Sequence, residues 1–449
     1  MSTIDFLNLA QAAVSRAMER GADSAEAYIS RSKELEIEVR EQQIETIKSS
    51  EEKGLGLRVL RGRQFGFAFT TNLTPSGIED VAAQAVANAG QTAPDEFYSF
   101  PAKTDGYSEM SLFDPALQTT NVERKIELAK EMERAARTFD KRVKVIESST
   151  YHDGEIEVGL VSSEGMESYY RAALCGLYMA LTAQGGGENQ TGFAVDYRRR
   201  IAELDPEKIG REAAERAVRM LGSRTQGSCK IPVVLDPYVV VSLLGVIAPS
   251  LTAEAVQKGR SLFAGRVGEQ VSSPLITLID DGTYEDGIRT APFDGEGVPT
   301  QRTVLINEGV LQGYLHNTYT AAKDGTTRST GNGVRGSFKS TPEVGTTNFY
   351  IAPGTRRAET IIGETKQGMY ITEVMGIHTA NPISGDFSVG AAGIWISEGQ
   401  LAQPVRGVAI AGNIKDLLSS IDAVGDDLRF LGGKGSPTIR VEKMALSGS

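Results

Sequence analysis

The chain has 449 residues, 40% of them hydrophobic and 23% charged, with a formal net charge of −11 at pH 7. That length exceeds one ordinary domain and predicts two, each able to bury its own core. The acidic balance and the lack of a concentrated Lys/Arg block argue against direct nucleic-acid binding, which needs a basic stripe, and no apolar run is long enough to span a bilayer.

The opening "MSTIDFLNLAQAAVSRAMERGADSAEAY" carries apolar residues at helical spacing, without the basic start and continuous apolar stretch of a secretory leader. It predicts a helix burying Ile4, Leu7, Ala10, Val14, Ala17 and Met18 and ended by Gly21, in a cytoplasmic protein. Alternation then predicts antiparallel strands, with Leu35, Ile37 and Val39 on one face, then Leu55, Leu57 and Val59, then Phe65, Phe67 and Phe69. A helix over about 76–89 follows. Beyond the loop "SFPAKTDGYSEMSLFDP" a similar order recurs: a helix with Val122, Ile126, Ala129, Met132 and Ala136 inward, more strands, and a helix from about Pro206 to Leu221. The two passes barely match in sequence, so internal duplication and chance recurrence of a common order both stay open.

Near "SRTQGSCKIP" the chain becomes richer in Gly, Thr and short strand-like runs. The boundary is set there, between an N-terminal α/β domain at 1–225 and a C-terminal β-rich domain at 226–449. The expected fold class is α+β: helices and antiparallel strands first, then a mostly-β sandwich or distorted barrel. Within the second part, "VVVSLLGVIAPSLTAEAV" (239–256) reads as a helix with almost no reactive side chain, and a later helix is expected near "NIKDLLSSIDAV".

"GNGVRG", Gly331 to Gly336, fits the GxGxxG pattern but has neither a strand before it nor a helix after it, so it is no dinucleotide fingerprint. A ligand-approaching loop and a plain surface loop both remain. No GxSxG elbow is present, and His152, His316 and His378 lie far apart with no partner at helical ligand spacing, as exposed or hydrogen-bonded histidines would. Asp236, Asp280, Asp281 and Asp386 sit in turn-like sequence, where carboxylates bond nearby backbone amides. Cys175 and Cys229 lack CxxC spacing and read as free thiols.

Three long runs carry a resemblance: "GRSLFAGRVGEQVSSPLITLIDDGT", "FDGEGVPTQRTVLINEGVLQGYLHNTYTAAKDG" and "STGNGVRGSFKSTPEVGTTNFYIAPG". With the ending "FLGGKGSPTIRVEKMALSG" they resemble the TldD/PmbA family, also called modulators of DNA gyrase, over essentially the whole chain. The resemblance implies, for the TldD branch, a zinc peptidase with a His-Glu-x-x-x-His helix just before "RSLFAGRVGE" and a Cys ligand near the C-terminus. Here "LLGVIAPSL" occupies the helix and "FLGGKG" has glycine where the Cys is expected, as in the PmbA (TldE) branch. The implied role is a subunit without catalytic or metal-ligand residues, zinc residing in a TldD-like partner of a peptidase. The alternative is a stand-alone homodimeric peptide-binding or regulatory protein. Candidate residues for an extended peptide are Asn332, Gly333 and Arg335 in one loop, with Asn381, Ser384 and Asp386 in another.

Overall fold

The computed structural model describes residues 3–104, 106–325 and 328–448, and of residues 3–5 the backbone only, so the expected burial of Ile4 lies outside the described residues. The N-terminal half is built on one antiparallel sheet in the order β3-β2-β1-β4-β5-β6. Its strands are β1 (Ser24–Arg40), β2 (Gln43–Arg61), β3 (Gln64–Thr70), β4 (Val143–Ser162), β5 (Glu167–Gly185) and β6 (Glu188–Arg198). Helices Thr3–Glu19 and Pro75–Ala89 cover β1–β3, and helices Val122–Phe139 and Pro206–Val218 cover β4–β6, each pair closing its own apolar core.

The order helix–three strands–helix therefore occurs twice, with β1 and β4 paired antiparallel at the middle of the sheet. One contact repeats in detail. A Cβ added to Gly66 of β3 would lie 2.1 Å from the Ala85 carbonyl oxygen and 2.9 Å from the Ala89 Cβ. One added to Gly192 of β6 would lie 2.3 Å from the Ala213 carbonyl oxygen and 2.9 Å from the Ala217 Cβ. In both repeats an outer-strand glycine lets the second helix settle onto the sheet through an Ala-x-x-x-Ala face. This geometry favours internal duplication over coincidence.

It also corrects the face assigned to "FGFAF". Gly66 and Ala68 point into the core, and the rings of Phe65, Phe67 and Phe69 occupy the opposite face, where Phe65 stacks on Tyr98 at 4.8 Å and Phe69 meets Phe338 at 6.2 Å. Aromatic bulk cannot fit where the helix backbone comes this close. In the first helix the buried stripe is Phe6, Ala10, Ala13, Val14 and Ala17, and Met18 is 37% exposed, contrary to expectation.

The C-terminal half holds β7 (Cys229–Leu235), β8 (Leu278–Asp281), β9 (Arg302–Asn307), β10 (Val310–Leu311), β11 (Gly333–Val334), β12 (Glu343–Val344), β13 (Phe349–Ile351), β14 (Gln367–Met375), β15 (Asp386–Ser397), β16 (Gln400–Asn413), β17 (Ile421–Val424), β18 (Arg429–Leu431), β19 (Lys434–Ser436) and β20 (Ile439–Ser447). One sheet runs β16-β15-β14-β7-β20-β17, and an extra β16–β20 pairing closes five of these strands into a barrel. A second sheet, β10-β9-β8-β13-β19-β18, shares the main apolar core with it. The late helix is shorter than its apolar pattern suggests, Ile414–Ser419, because Ile421–Val424 pairs with β20 as a strand. No helix among the described residues is long and apolar enough to cross a membrane.

The halves interlock. Phe338 lies against Gly54 and Gly56 of β2, where an added Cβ would come 2.3 Å from its ring and 2.2 Å from its carbonyl oxygen respectively. The Tyr319 hydroxyl donates to Asp95 at 2.9 Å, and Arg429 binds Glu212 through two bonds of 2.6 and 2.8 Å.

Candidate functional site

The segment 239–256 forms three pieces. Asp236 caps the first helix, accepting the Tyr238 N–H at 3.0 Å, and Pro237 fits its first turn. The helix ends at Ile247, Ala248–Leu251 continues as a 3₁₀ turn, and Thr252 caps a last short helix, Ala253–Gln257. Pro249 accounts for the break, since it has no N–H to donate to the preceding turn. Val239, Val240, Leu243, Leu244 and Ile247 pack into the C-terminal core.

The other side of this segment, through Gly245, Ala248 and Pro249, lines a groove of about 500 Å³. Gly345, Thr346, Pro382, Ile383 and Lys434 also line it, with Glu254, Lys258 and Arg260 contributing charge. Lys258 is tied to Glu254 at 2.5 Å. Burial, then the nearby Arg289, lowers the Lys434 ammonium from its ordinary range.

Zinc requires imidazole, thiolate or carboxylate donors. The wall of Gly245, Ala248 and Pro249 offers none, Glu254 supplies a single carboxylate already held by Lys258, Lys434 can only donate, and no group of three His, Cys, Asp or Glu able to hold a metal occurs among the described residues. These residues do not fit a zinc site. His316 is buried, burial lowers its pKa, and its Nδ1 has no hydrogen-bond partner, so it is neither exposed nor fully bonded as expected. His152 borders a different cavity and His378 is exposed. Cys175 is buried, which pushes its thiol up to about 12, and Cys229 is half-buried.

A second cavity, of about 410 Å³, lies where the halves meet. Gly333 and Arg335 line it, and Thr346 borders both it and the groove. The Arg335 side chain is only 1% exposed. It pairs with Glu26, donates to the Gly295 carbonyl at 2.6 Å, and stacks over Tyr28 at 4.7 Å. Glu26 also binds Arg58 at 2.6 Å, and Arg58 reaches Glu296 at 3.2 Å. Gly333 is closely confined, since an added Cβ would fall 2.8 Å from the Glu296 Cγ and 3.0 Å from Asp294 Oδ2, which accepts the Gly333 N–H at 2.7 Å. Burial, then Glu296, raises the Asp294 carboxyl well above the usual carboxylate range.

Asn332 is buried rather than open. It donates to Asp280 at 2.6 Å and to the Gly345 carbonyl at 3.0 Å. Asp280 also accepts the Thr347 N–H at 2.7 Å and its hydroxyl at 2.8 Å, and burial still pushes its pKa up to about 6. It departs from the expected turn chemistry because all these partners are distant in sequence, and the Asp386 carboxylate departs too, taking only side-chain donors from Ser384 and Asn413. Asp281 does show it, taking the Thr283 N–H at 2.9 Å.

The other loop forms an exposed turn. Asn381 accepts the Ile383 and Ser384 N–H groups at 2.9 and 3.1 Å, the Ser384 hydroxyl donates to Asp386 at 2.8 Å, and Asn413 donates to Asp386 at 2.9 Å. Thus the two sequence-selected loops border neighbouring spaces, with Gly333 and Arg335 at the interdomain cavity and the turn holding Pro382 and Ile383 at the groove. Sequence reasoning passed over Arg199 and Lys434, which line the cavity and the groove respectively.

Three consecutive family models match the chain: PmbA/TldA metallopeptidase domain 1 over residues 25–89, the central domain over 115–221, and the C-terminal domain over 228–448. The chain belongs to the PmbA/TldD metallopeptidase family. Metalloprotease PmbA of Escherichia coli O157:H7 is 28% identical to this family member, covering 97% of this chain and 95% of that protein. The Haemophilus influenzae metalloprotease TldD homolog is also 28% identical, over 89% of this chain and 87% of its own. Among solved structures, TldE from Thermococcus kodakarensis superposes with a TM-score of 0.91 at 25% identity, covering 98% of this chain and all (100%) of that one. A Thermotoga maritima protein named a modulator of a DNA gyrase also gives 0.91, at 28% identity, over 98% of this chain and 99% of that chain.

Proposed function

We propose that this PmbA/TldD-family chain is the PmbA/TldE-type subunit of a cytoplasmic TldD–TldE-like metallopeptidase acting on peptides and unfolded proteins, and that zinc and catalysis belong to a TldD-like partner. The observation that carries this reading is the groove wall of Gly245, Ala248 and Pro249, which keeps the shape of a cleft without a metal-ligating side chain. A groove of this size suits an extended peptide held by main-chain bonds and apolar contacts. The resemblance to proteins named TldD homolog and TldE supports the pairing.

The test is co-expression with a TldD-like subunit. The expected result is a co-purifying complex that cleaves peptide, with the isolated chain inactive and free of stoichiometric zinc. One tightly held zinc per isolated chain, or peptide cleavage by the chain alone, would overturn it. Homodimerisation with no affinity for the partner would favour the stand-alone peptide-binding alternative.

A further inference from the structure

The interdomain cavity contains a charge that the protein does not match. Arg199 is 5% exposed, and its guanidinium donates only to backbone carbonyls, to Gly287 at 2.6 Å, Thr290 at 3.1 Å and Ala173 at 3.3 Å. Its Nε has no partner, and no carboxylate lies within ion-pair distance among the described residues. A buried guanidinium normally carries a paired anion, because desolvation is otherwise uncompensated. Carbonyl dipoles offset only part of that cost.

The other charges around the cavity are paired or in contact with solvent: Arg289 also lines it with no ion pair among the described residues, but it is exposed. Arg335 and Arg58 share Glu26, and Arg58 also holds Glu296, which makes a balanced set of two cations and two anions even though the Arg335 Nη1 has no hydrogen-bond partner. Glu155 is held by Arg171 at 2.8 Å. Asp294 is satisfied by the N–H groups of Gly333, Glu296 and Val298 at 2.7, 2.8 and 3.0 Å. Lys33 and Glu34 are exposed and opposite in sign. Arg199 is the buried cation left without an ion pair, beside apolar walls that include Tyr28, Tyr170 and Phe293.

We infer that this cavity takes an organic carboxylate bearing an apolar group, as at the C-terminus of a peptide, with the carboxylate meeting Arg199 and the side chain lying against the aromatic wall. A planar guanidinium suits a carboxylate better than a point cation would, and 410 Å³ is room for about one or two residues. The inference deepens the peptide-holding reading by naming which end of the peptide is held. Its test uses the purified full chain without a partner, so failed assembly and failed carboxylate binding are separate outcomes.

The experiment is isothermal titration with N-acetyl-Leu-Phe as free acid, as its C-terminal amide, and with inorganic phosphate as competitor. The free acid is expected to bind, the amide to bind at least about tenfold more weakly, and Arg199→Gln to lose a similar factor while its melting temperature stays near that of the parent. Equal binding of acid and amide would overturn the inference, as would full displacement by equimolar phosphate or unchanged binding in Arg199→Gln. Should Arg199→Gln not fold, Ile288→Trp, which adds bulk at a half-buried lining position, is expected to block binding. Retained binding there would equally overturn it.

Discussion

Arg335 of the glycine-rich loop and Glu26 of β1 form a buried ion pair, 309 residues apart in sequence, that fastens the C-terminal half to the N-terminal sheet. Removing one partner of such a pair strands the other, at a cost of roughly 3–5 kcal/mol, reduced here because Glu26 keeps Arg58. Arg335→Ala is therefore expected to destabilise the fold by about 3 kcal/mol, read from the denaturant midpoint. A loss below about 0.5 kcal/mol would show that the pair contributes nothing to holding the halves together.

The paired glycines of the two repeats give a second expectation. Gly66→Ala and Gly192→Ala each place a methyl group against helix backbone that cannot yield without shifting the helix. Each should cost about 1–3 kcal/mol of overpacking, similar in the two repeats. Gly222→Ala provides the contrast: nothing lies within 4 Å of the added carbon there, and its φ of 78° makes backbone strain the only cost. Equilibrium unfolding of the three variants distinguishes packing from strain.

Asp280 yields a pH dependence. Its carboxyl is raised to about 6 in the folded chain, above its ordinary value of 3.8, so the folded state holds the proton more tightly than the unfolded state. Its contribution to stability is fully present below about pH 4 and lost as pH rises through about 6, by roughly 3 kcal/mol in all. The quantity to measure is the stability difference between the parent and Asp280→Asn, which cancels the other titrating groups. That difference should move against the parent between pH 4 and 7, and a flat profile would refute the assignment.

What the sequence made legible depended on period and on distance along the chain. Strand alternation located β1 and β2 with the correct buried faces, Leu55, Leu57 and Val59 all being fully buried. The same rule failed at β3, because the deciding residue was Gly66, and a glycine shows no preference in a hydrophobic pattern. The Gly/Thr-rich texture after Ile231 marked the β-rich part, but the β16–β20 pairing that closes the barrel joins residues 409–411 to 445–447 and has no local signature. At the site, Arg335 was conspicuous among glycines, yet its partner Glu26 is invisible from the loop. Arg199 was hidden in the run "YRRR", whose outer arginines pair with Asp196 and Glu203 while the middle one turns inward just past the end of β6.

The groove gives the last expectation, and it bears on function. Ile383 is 53% exposed and lines the groove, while its backbone N–H is held by Asn381, so its side chain contributes little to the fold. Ile383→Asp should change stability by no more than about 0.5 kcal/mol. A peptide lying in the groove would bury that side chain, an apolar contact worth roughly 1.5–3 kcal/mol that the carboxylate forfeits. In the complex with a TldD-like partner, kcat/KM for an apolar peptide should consequently fall about tenfold or more while assembly is unchanged. The added negative charge also makes the effect depend on the substrate: the new carboxylate would share the groove with Arg260 and Lys434 and offset their attraction, so peptides with acidic side chains should lose more than those with basic ones. Equal kcat/KM for parent and variant on all peptides would place the substrate elsewhere and remove the groove from the reaction.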